Sequence, residues 1–341
     1  MITRKKVPRL TVKKPSIAVL GGGSWATALV KILTENHREV HWYIRSQEAK
    51  TYIEEQQHNP KYLRSATLKT KRLRITNDLN EAVAKAEFLL FVIPSAFVQA
   101  ELKQLNIPLE GKIIFSAIKG VIPDRLEIMG EFFHRKYAIP YANIGVITGP
   151  CHAEEVALEK ISYLTVACQD LEKAKMLSRL LTTHYIRVTL SDDIIGTEYA
   201  AMLKNIYAIA AGIGHGLGYG DNFQSVLMSN AIREMKRFIK NLHKMKRNIN
   251  ASAYLGDLLV TGYSSFSRNR TLGNMLGKGY TVQAALSEMN MVAEGYYATA
   301  SARMIKQSFK TRTPIIDAVY AVLYEEKKAV KVFSKLTKKL N

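Results

Sequence analysis

The sequence predicts an α/β chain: a mostly parallel sheet with alternating helices in the first part, then an all-α second part. Three observations carry this. The apolar run Ser16–Leu20 meets a glycine turn and then a helical stretch. Further short apolar runs alternate with helical segments as far as Ser191, the pattern of βαβ units. Beyond Ser191 the β-type patterning stops and the remainder reads as helices.

With 341 residues the chain has room for roughly two domains, and an apolar fraction of 47% suffices for a large core. Residues 1–15 hold six basic groups and no acid, without the apolar stretch of a secretory signal, and read as a disordered basic leader. The dinucleotide-type first domain is placed at 16–191 and the helical domain at 192–341. Two cysteines, Cys151 and Cys168, argue against a disulfide scaffold and for a reducing, cytoplasmic setting. The formal charge of +20 is scattered, with concentrations at 4–14, 233–247 and 327–339. No helix-turn-helix, zinc pattern or aromatic-interleaved basic stripe accompanies it, so nucleic acid is excluded as a partner. A positive field suits phosphorylated ligands and leaves room for peripheral association with anionic membranes.

Taken in order, Ser16–Leu20 is a strand followed by Gly21-Gly22-Gly23-Ser24-Trp25-Ala26, with helix over Thr27–Leu33 and a second strand over Glu39–Arg45. Strand, glycine turn, helix and strand within ~30 residues form the dinucleotide-binding context of the Rossmann type. Gly21 permits the tight turn, Gly23 lets backbone approach a pyrophosphate, and Ala26 still allows helix-on-strand packing. The free N–H groups at the helix start favour phosphate. Where an NAD binder carries a carboxylate after the second strand, this chain has Arg45-Ser46, which favours NADP(H) while leaving NAD(H) open.

Glu81–Ala86 is helical, and Phe88–Ile93 is a strand ended by Pro94. Lys112–Ser116 is a strand running into Ile118-Lys119-Gly120, and Ile144–Ile147 one running into Gly149-Pro150-Cys151. Leu164–Ala167 and Ile186–Leu190 add strands. Lys119 and Gly149–Cys151 thus fall at carboxyl ends of strands, where ligands collect in open α/β sheets. In the second part, Ala200–Ile213 is apolar on nearly every side of a helix but carries Lys204 and Asn205 in its middle. The interruption leaves it short of the ~20 clean residues a membrane span requires, so it is a buried core helix. A buried lysine costs several kcal/mol unless paired or neutralised, and a snorkelling or ion-paired lysine is the ordinary solution. Asp257 sits in the apolar run GDLLVT and Arg268, Asn269 and Arg270 end a turn-rich segment; alone they read as a helix cap and surface groups.

Read together, GGGSWATAL, NPKYL (59–63), IKG (118–120), GPCHAEEVA (149–157), LKNIYAIAAGIGHGLGYGDN, GDLLVTGYSSFSRNR and VAEG (292–295) resemble NAD(P)-dependent sn-glycerol-3-phosphate dehydrogenase of the soluble bacterial type. The resemblance runs from Ile17 to about Ala300. It implies dihydroxyacetone phosphate and sn-glycerol 3-phosphate as substrates, a role in phospholipid synthesis, no metal, and compatibility with a homodimer. It implies that Ser24, Trp25, Arg45, Lys119, Ala153, Arg268, Val292 and Glu294 join Gly21 and Gly23 at the cofactor. Lys119, Gly149, Cys151, Lys204, Asp257, Ser267, Arg268 and Asn269 would hold the substrate, with Lys204, Lys119 and Asp257 as the catalytic group and Lys204 as acid/base. The chain departs from the family at Cys151 and His152, where a hydroxyl residue and Phe are usual; a thiol is the weaker donor. Two other readings share the first domain: a different two-domain reductase, and a non-catalytic nucleotide binder at anionic membranes. The first lacks the LKN and SRNR segments in this order. The second gives no reason for Lys119, Lys204 and Asp257 to occur together.

Overall fold

The computed structural model describes residues 14–122, 126–289 and 293–341. Most of the basic leader, and Val292, lie outside the described residues. Among the described residues ten strands are formed: β1 (Ile17–Leu20), β2 (Val40–Tyr43), β3 (Leu73–Thr76), β4 (Phe88–Phe91), β5 (Ile113–Ser116), β6 (Val121–Ile122), β7 (Glu127–Ile128), β8 (Ile144–Thr148), β9 (Ser162–Cys168) and β10 (Ile186–Ser191). Eight build one sheet in the order β10-β9-β8-β5-β4-β1-β2-β3; β6 and β7 pair as a small antiparallel ribbon. All neighbours in the large sheet are parallel except β8 and β9, so the fold is the mostly parallel Rossmann type expected.

The central strands show why. β1, β4 and β5 are buried at every position, as strands covered by helices on both faces must be, and their residues are uninterrupted apolar runs apart from Ser116. Sequence patterning does not reveal β3, nor the two-residue strands β6 and β7. The four residues of β3, LRIT, include the exposed Arg74, and it lies at the sheet edge beside β2, where one face need not be apolar. The helix expected over 81–86 occupies Leu79–Ala84, started two residues early by the Asp78 side chain, which accepts from Asn80 N.

After β10 the described chain is helical. Asp193 caps the helix Ile194–Gly216, accepting from Gly196 N at 2.9 Å. From Gly196 to Gly214 every residue of that helix is buried. Helices Asp221–Leu242, Asp257–Tyr263, Arg268–Gly277, Glu294–Ile305 and Pro314–Leu323 pack around it. The approach to Arg268–Gly277 is close enough that a Cβ added at Gly212 or Gly273 would run into the facing backbone. That contact aligns the start of the second helix with the middle of the first, where Lys204 stands.

A buried ion pair ties the join between strands and helices. Arg247 donates to both Asp193 carboxylate oxygens, Tyr254 OH donates to the same group, and the Arg247 and Asp193 side chains are only 8% and 5% exposed. Burial pushes the Asp193 pKa up, but Arg247, Tyr254 and Gly196 N together hold it below the ordinary carboxylate value. Replacing Arg247 by Ala strands a buried charge, so the variant should lose about 3–5 kcal/mol of stability in denaturant titration. A loss within experimental error would show that water reaches Asp193 freely.

Candidate active site

The site begins where β1 ends. Gly21 has φ +132°, and a Cβ there would stand 2.6 Å from the Val92 carbonyl oxygen, so only glycine lets the chain turn this tightly against β4. The following helix, Ser24–Asn36, starts after Gly23 with no side chain capping its first N–H groups. Nothing lies within 4 Å of the space over Gly23. Uncapped donors beneath open space suit a pyrophosphate, so these residues fit a dinucleotide. Asn59, from the NPKYL segment, braces the turn by donating to the Gly22 carbonyl at 3.3 Å and Thr27 Oγ1 at 2.9 Å.

At the end of β2, the exposed Arg45 donates to Glu101 Oε1 at 3.2 Å, and Tyr43 OH donates to Glu101 Oε2 at 2.8 Å. Glu101 is itself buried. The sequence shows the arginine at this position; the carboxylate beneath it arrives from helix Ser95–Leu102 and is not visible there.

Between the sheet and the helical part a cleft is lined by Ser24, Trp25, Lys119, Cys151, Ala153 and Lys204, and on its far side by Ser267, Arg268, Asn269 and Glu294. It continues over Gly23 towards Pro94. Ten of the residues implicated from sequence therefore meet in one place. Gly21, Gly149, Asp257 and Arg45 are not among the residues that line the cleft, and Val292 lies outside the described residues.

Lys204 is 2% exposed and Asp257 1% exposed, and the ammonium donates to Asp257 Oδ1. Thr148 Oγ1, from the last residue of β8, donates to Asp257 Oδ2 at 3.3 Å. Burial pulls the Lys204 pKa down from the ordinary lysine value to about 8; Asp257 opposes this and Lys119 adds to it. Asp257 opens helix Asp257–Tyr263 immediately after a π-helical turn over Ser252–Gly256, which swings its side chain onto Lys204. Lys119 Nζ also sits 5.7 Å from the centre of the Trp25 ring.

Opposite, Ser267 Oγ caps the ten-residue helix Arg268–Gly277 by accepting from Arg270 N at 3.3 Å. A helix N-terminus with Arg268 in its first turn opens into the cleft, an arrangement matched to phosphate. The Asn269 side chain is largely engaged already: it donates to Asn205 Oδ1 at 3.0 Å and accepts from Gly295 N at 2.9 Å. Asn205 in turn donates to the Lys119 carbonyl at 3.1 Å. Asn205 stood beside Lys204 in the sequence without an assigned part, and only these long-range bonds reveal one. Burial raises the Glu294 pKa against the pull of Arg268, Lys119 and Lys204. Cys151 is buried, and desolvation pushes its thiol up to about 12 despite Lys119, so it stays a neutral, weak donor. Among the described residues no cluster could hold a metal ion.

Family models of the NAD-dependent glycerol-3-phosphate dehydrogenase N-terminus and C-terminus match residues 16–174 and 193–334. A glycerol-3-phosphate dehydrogenase [NAD(P)+] from an Exiguobacterium species is 38% identical over 314 residues, covering 92% of each chain. One from Bacillus pumilus is 35% identical over 314 residues, covering 92% of this chain and 91% of its own. The crystal structure of glycerol-3-phosphate dehydrogenase from Coxiella burnetii superposes with a TM-score of 0.87 at 27% identity, over 95% of this chain and 99% of that one. With a turn shaped for dinucleotide phosphates, a paired lysine at the cleft wall and these matches over nearly its whole length, the chain belongs to the NAD(P)-dependent glycerol-3-phosphate dehydrogenase family.

Proposed function

We propose that this protein interconverts dihydroxyacetone phosphate and sn-glycerol 3-phosphate, supplying the latter to phospholipid synthesis in the cytoplasm. The observation that carries the chemistry is Lys204: a buried ammonium at the wall of a cleft whose one end suits a dinucleotide and whose other end suits a phosphate. The nicotinamide, when bound, supplies or accepts the hydride. The chain's residues do the rest. As the substrate carbonyl is reduced, negative charge gathers on its oxygen, and Lys204 Nζ stabilises that charge and gives up a proton. Asp257 holds the ammonium in one orientation, and Thr148 holds Asp257. Lys119, on the same cleft, favours proton release by lowering the Lys204 pKa. Arg268 and the helix start behind it grip the phosphate, a contact remote from the reacting carbon that serves to position it. Arg45, where an NAD binder would carry an acid, meets the 2′-phosphate of NADPH. The buried free thiols Cys151 and Cys168 suit a reducing compartment, and among the described residues no helix is long and apolar enough to cross a membrane.

The direct test is dihydroxyacetone-phosphate-dependent oxidation of NADPH and NADH by the purified protein; no turnover with either would overturn the assignment. Lys204→Ala should lower kcat by roughly two to four decades with the fold intact, the usual size of a general acid contribution. The pH dependence has a definite sign. Reduction needs Lys204 charged, so its rate should hold below about 8 and fall as pH rises through that value. Asp257 raises the lysine pKa, so Asp257→Asn should move the falling limb to lower pH; movement the other way would contradict the pairing. Arg45→Ala should lower kcat/KM for NADPH more than for NADH, and an equal loss would remove Arg45 from cofactor choice.

A further inference from the structure

One polar atom beside this cleft has no part in the scheme above. His152 follows Cys151 and lines the cleft together with Lys119 and Lys204. Its Nε2 is buried and has no hydrogen-bond partner. A neutral imidazole nitrogen donates or accepts according to its tautomer, and a hydroxyl group can meet it in either role.

The imidazole also stays neutral. Burial, then the charges of Lys119 and Lys204, push its pKa down to about 4, with Asp257 pulling the other way. Phe266, its ring centre 6.2 Å away, lies alongside it. His152 thus offers a neutral, unpartnered ring nitrogen shielded from water. Leaving such a nitrogen unmet is costly, so a ligand hydroxyl that reached it would gain in both affinity and selectivity.

The substrate has few groups that could be that partner. Its central oxygen belongs to Lys204, and its phosphate presents acceptors to Arg268 and the helix start. What remains is the terminal hydroxyl. The neighbouring Cys151 thiol is a weak hydrogen-bonding group and does not compete for it.

We propose that His152 Nε2 forms a hydrogen bond with the terminal hydroxyl of dihydroxyacetone phosphate and of glycerol 3-phosphate, making His152 the residue that selects a hydroxymethyl ketone over a methyl ketone. This rests on the dehydrogenase reading, since it assigns one end of that reading's substrate. The test compares kcat/KM for dihydroxyacetone phosphate with that for hydroxyacetone phosphate, its analogue with methyl in place of hydroxymethyl. The enzymes are wild type, His152→Phe and His152→Gln. Wild type should prefer the natural ketone. His152→Phe, keeping the ring but not the nitrogen, should shrink that preference about tenfold, leaving turnover of the methyl analogue near its wild-type value. His152→Gln, whose amide oxygen reaches a similar point, should keep much of the preference. Equal losses on both ketones in His152→Phe would mean a packing role only and would sink the proposal. If that variant does not fold, a wild-type enzyme treating both ketones alike sinks it too. A wild type idle on both ketones overturns the dehydrogenase reading, and this proposal with it.

Discussion

A lysine and an aspartate 53 residues apart meet where water hardly reaches, and the architecture around the cleft is arranged to permit that meeting. Desolvating two charges costs several kcal/mol each, and their attraction repays it only with good geometry and further hydrogen bonds. The molecule provides both. Lys204 projects from a helix enclosed on all sides, so its backbone cannot shift towards solvent. Asp257 is turned inward by a π-helical turn and held from the other side by Thr148 at the end of a strand. The pair should be read as poise more than as a source of stability. Burial and Lys119 pull the ammonium towards losing its proton while Asp257 resists, and a group so balanced can exchange a proton near neutral pH.

The same region ties the two parts of the chain together. Asn205, one residue after the lysine, donates to the carbonyl of Lys119 at the end of β5 and accepts from Asn269, which in turn accepts from Gly295 N. Four segments distant in sequence are thereby held in register around one cleft, which the helix start that suits phosphate shares with the lysine. The close approach at Gly212 and Gly273, each facing backbone of the opposite helix, sets the distance between those two helices. Positioning of this kind, from bonds that need not touch the reactants, is what turns a cleft into a near-attack arrangement.

Much of this could be read from residues alone, and the reasons differ by element. The glycine turn was legible because its demands are local: a positive φ, a close backbone and an uncapped helix end are all imposed by neighbours in sequence. The central strands were legible because burial on both faces forces an unbroken apolar run. Strand β3 was not, because an edge strand is free of that demand. The carboxylate under Arg45 comes from a residue 56 positions away, and the partner of Asn205 from one 64 away; no periodicity records such pairings.

Sequence by itself determined the order of the buried strands, the dinucleotide turn and the presence of a cation in a helix too apolar to face water, since each follows from local sterics or from the cost of exposing apolar surface. It also determined the chemistry on offer at each strand end. The tertiary structure decided which of those groups meet. It set Asp257 against Lys204, committed Asn269 to Asn205 and Gly295, placed Glu101 beneath Arg45 and left one nitrogen of His152 unmet. These are outcomes of packing between distant segments, where orientation and exclusion of water set the strength of every polar contact.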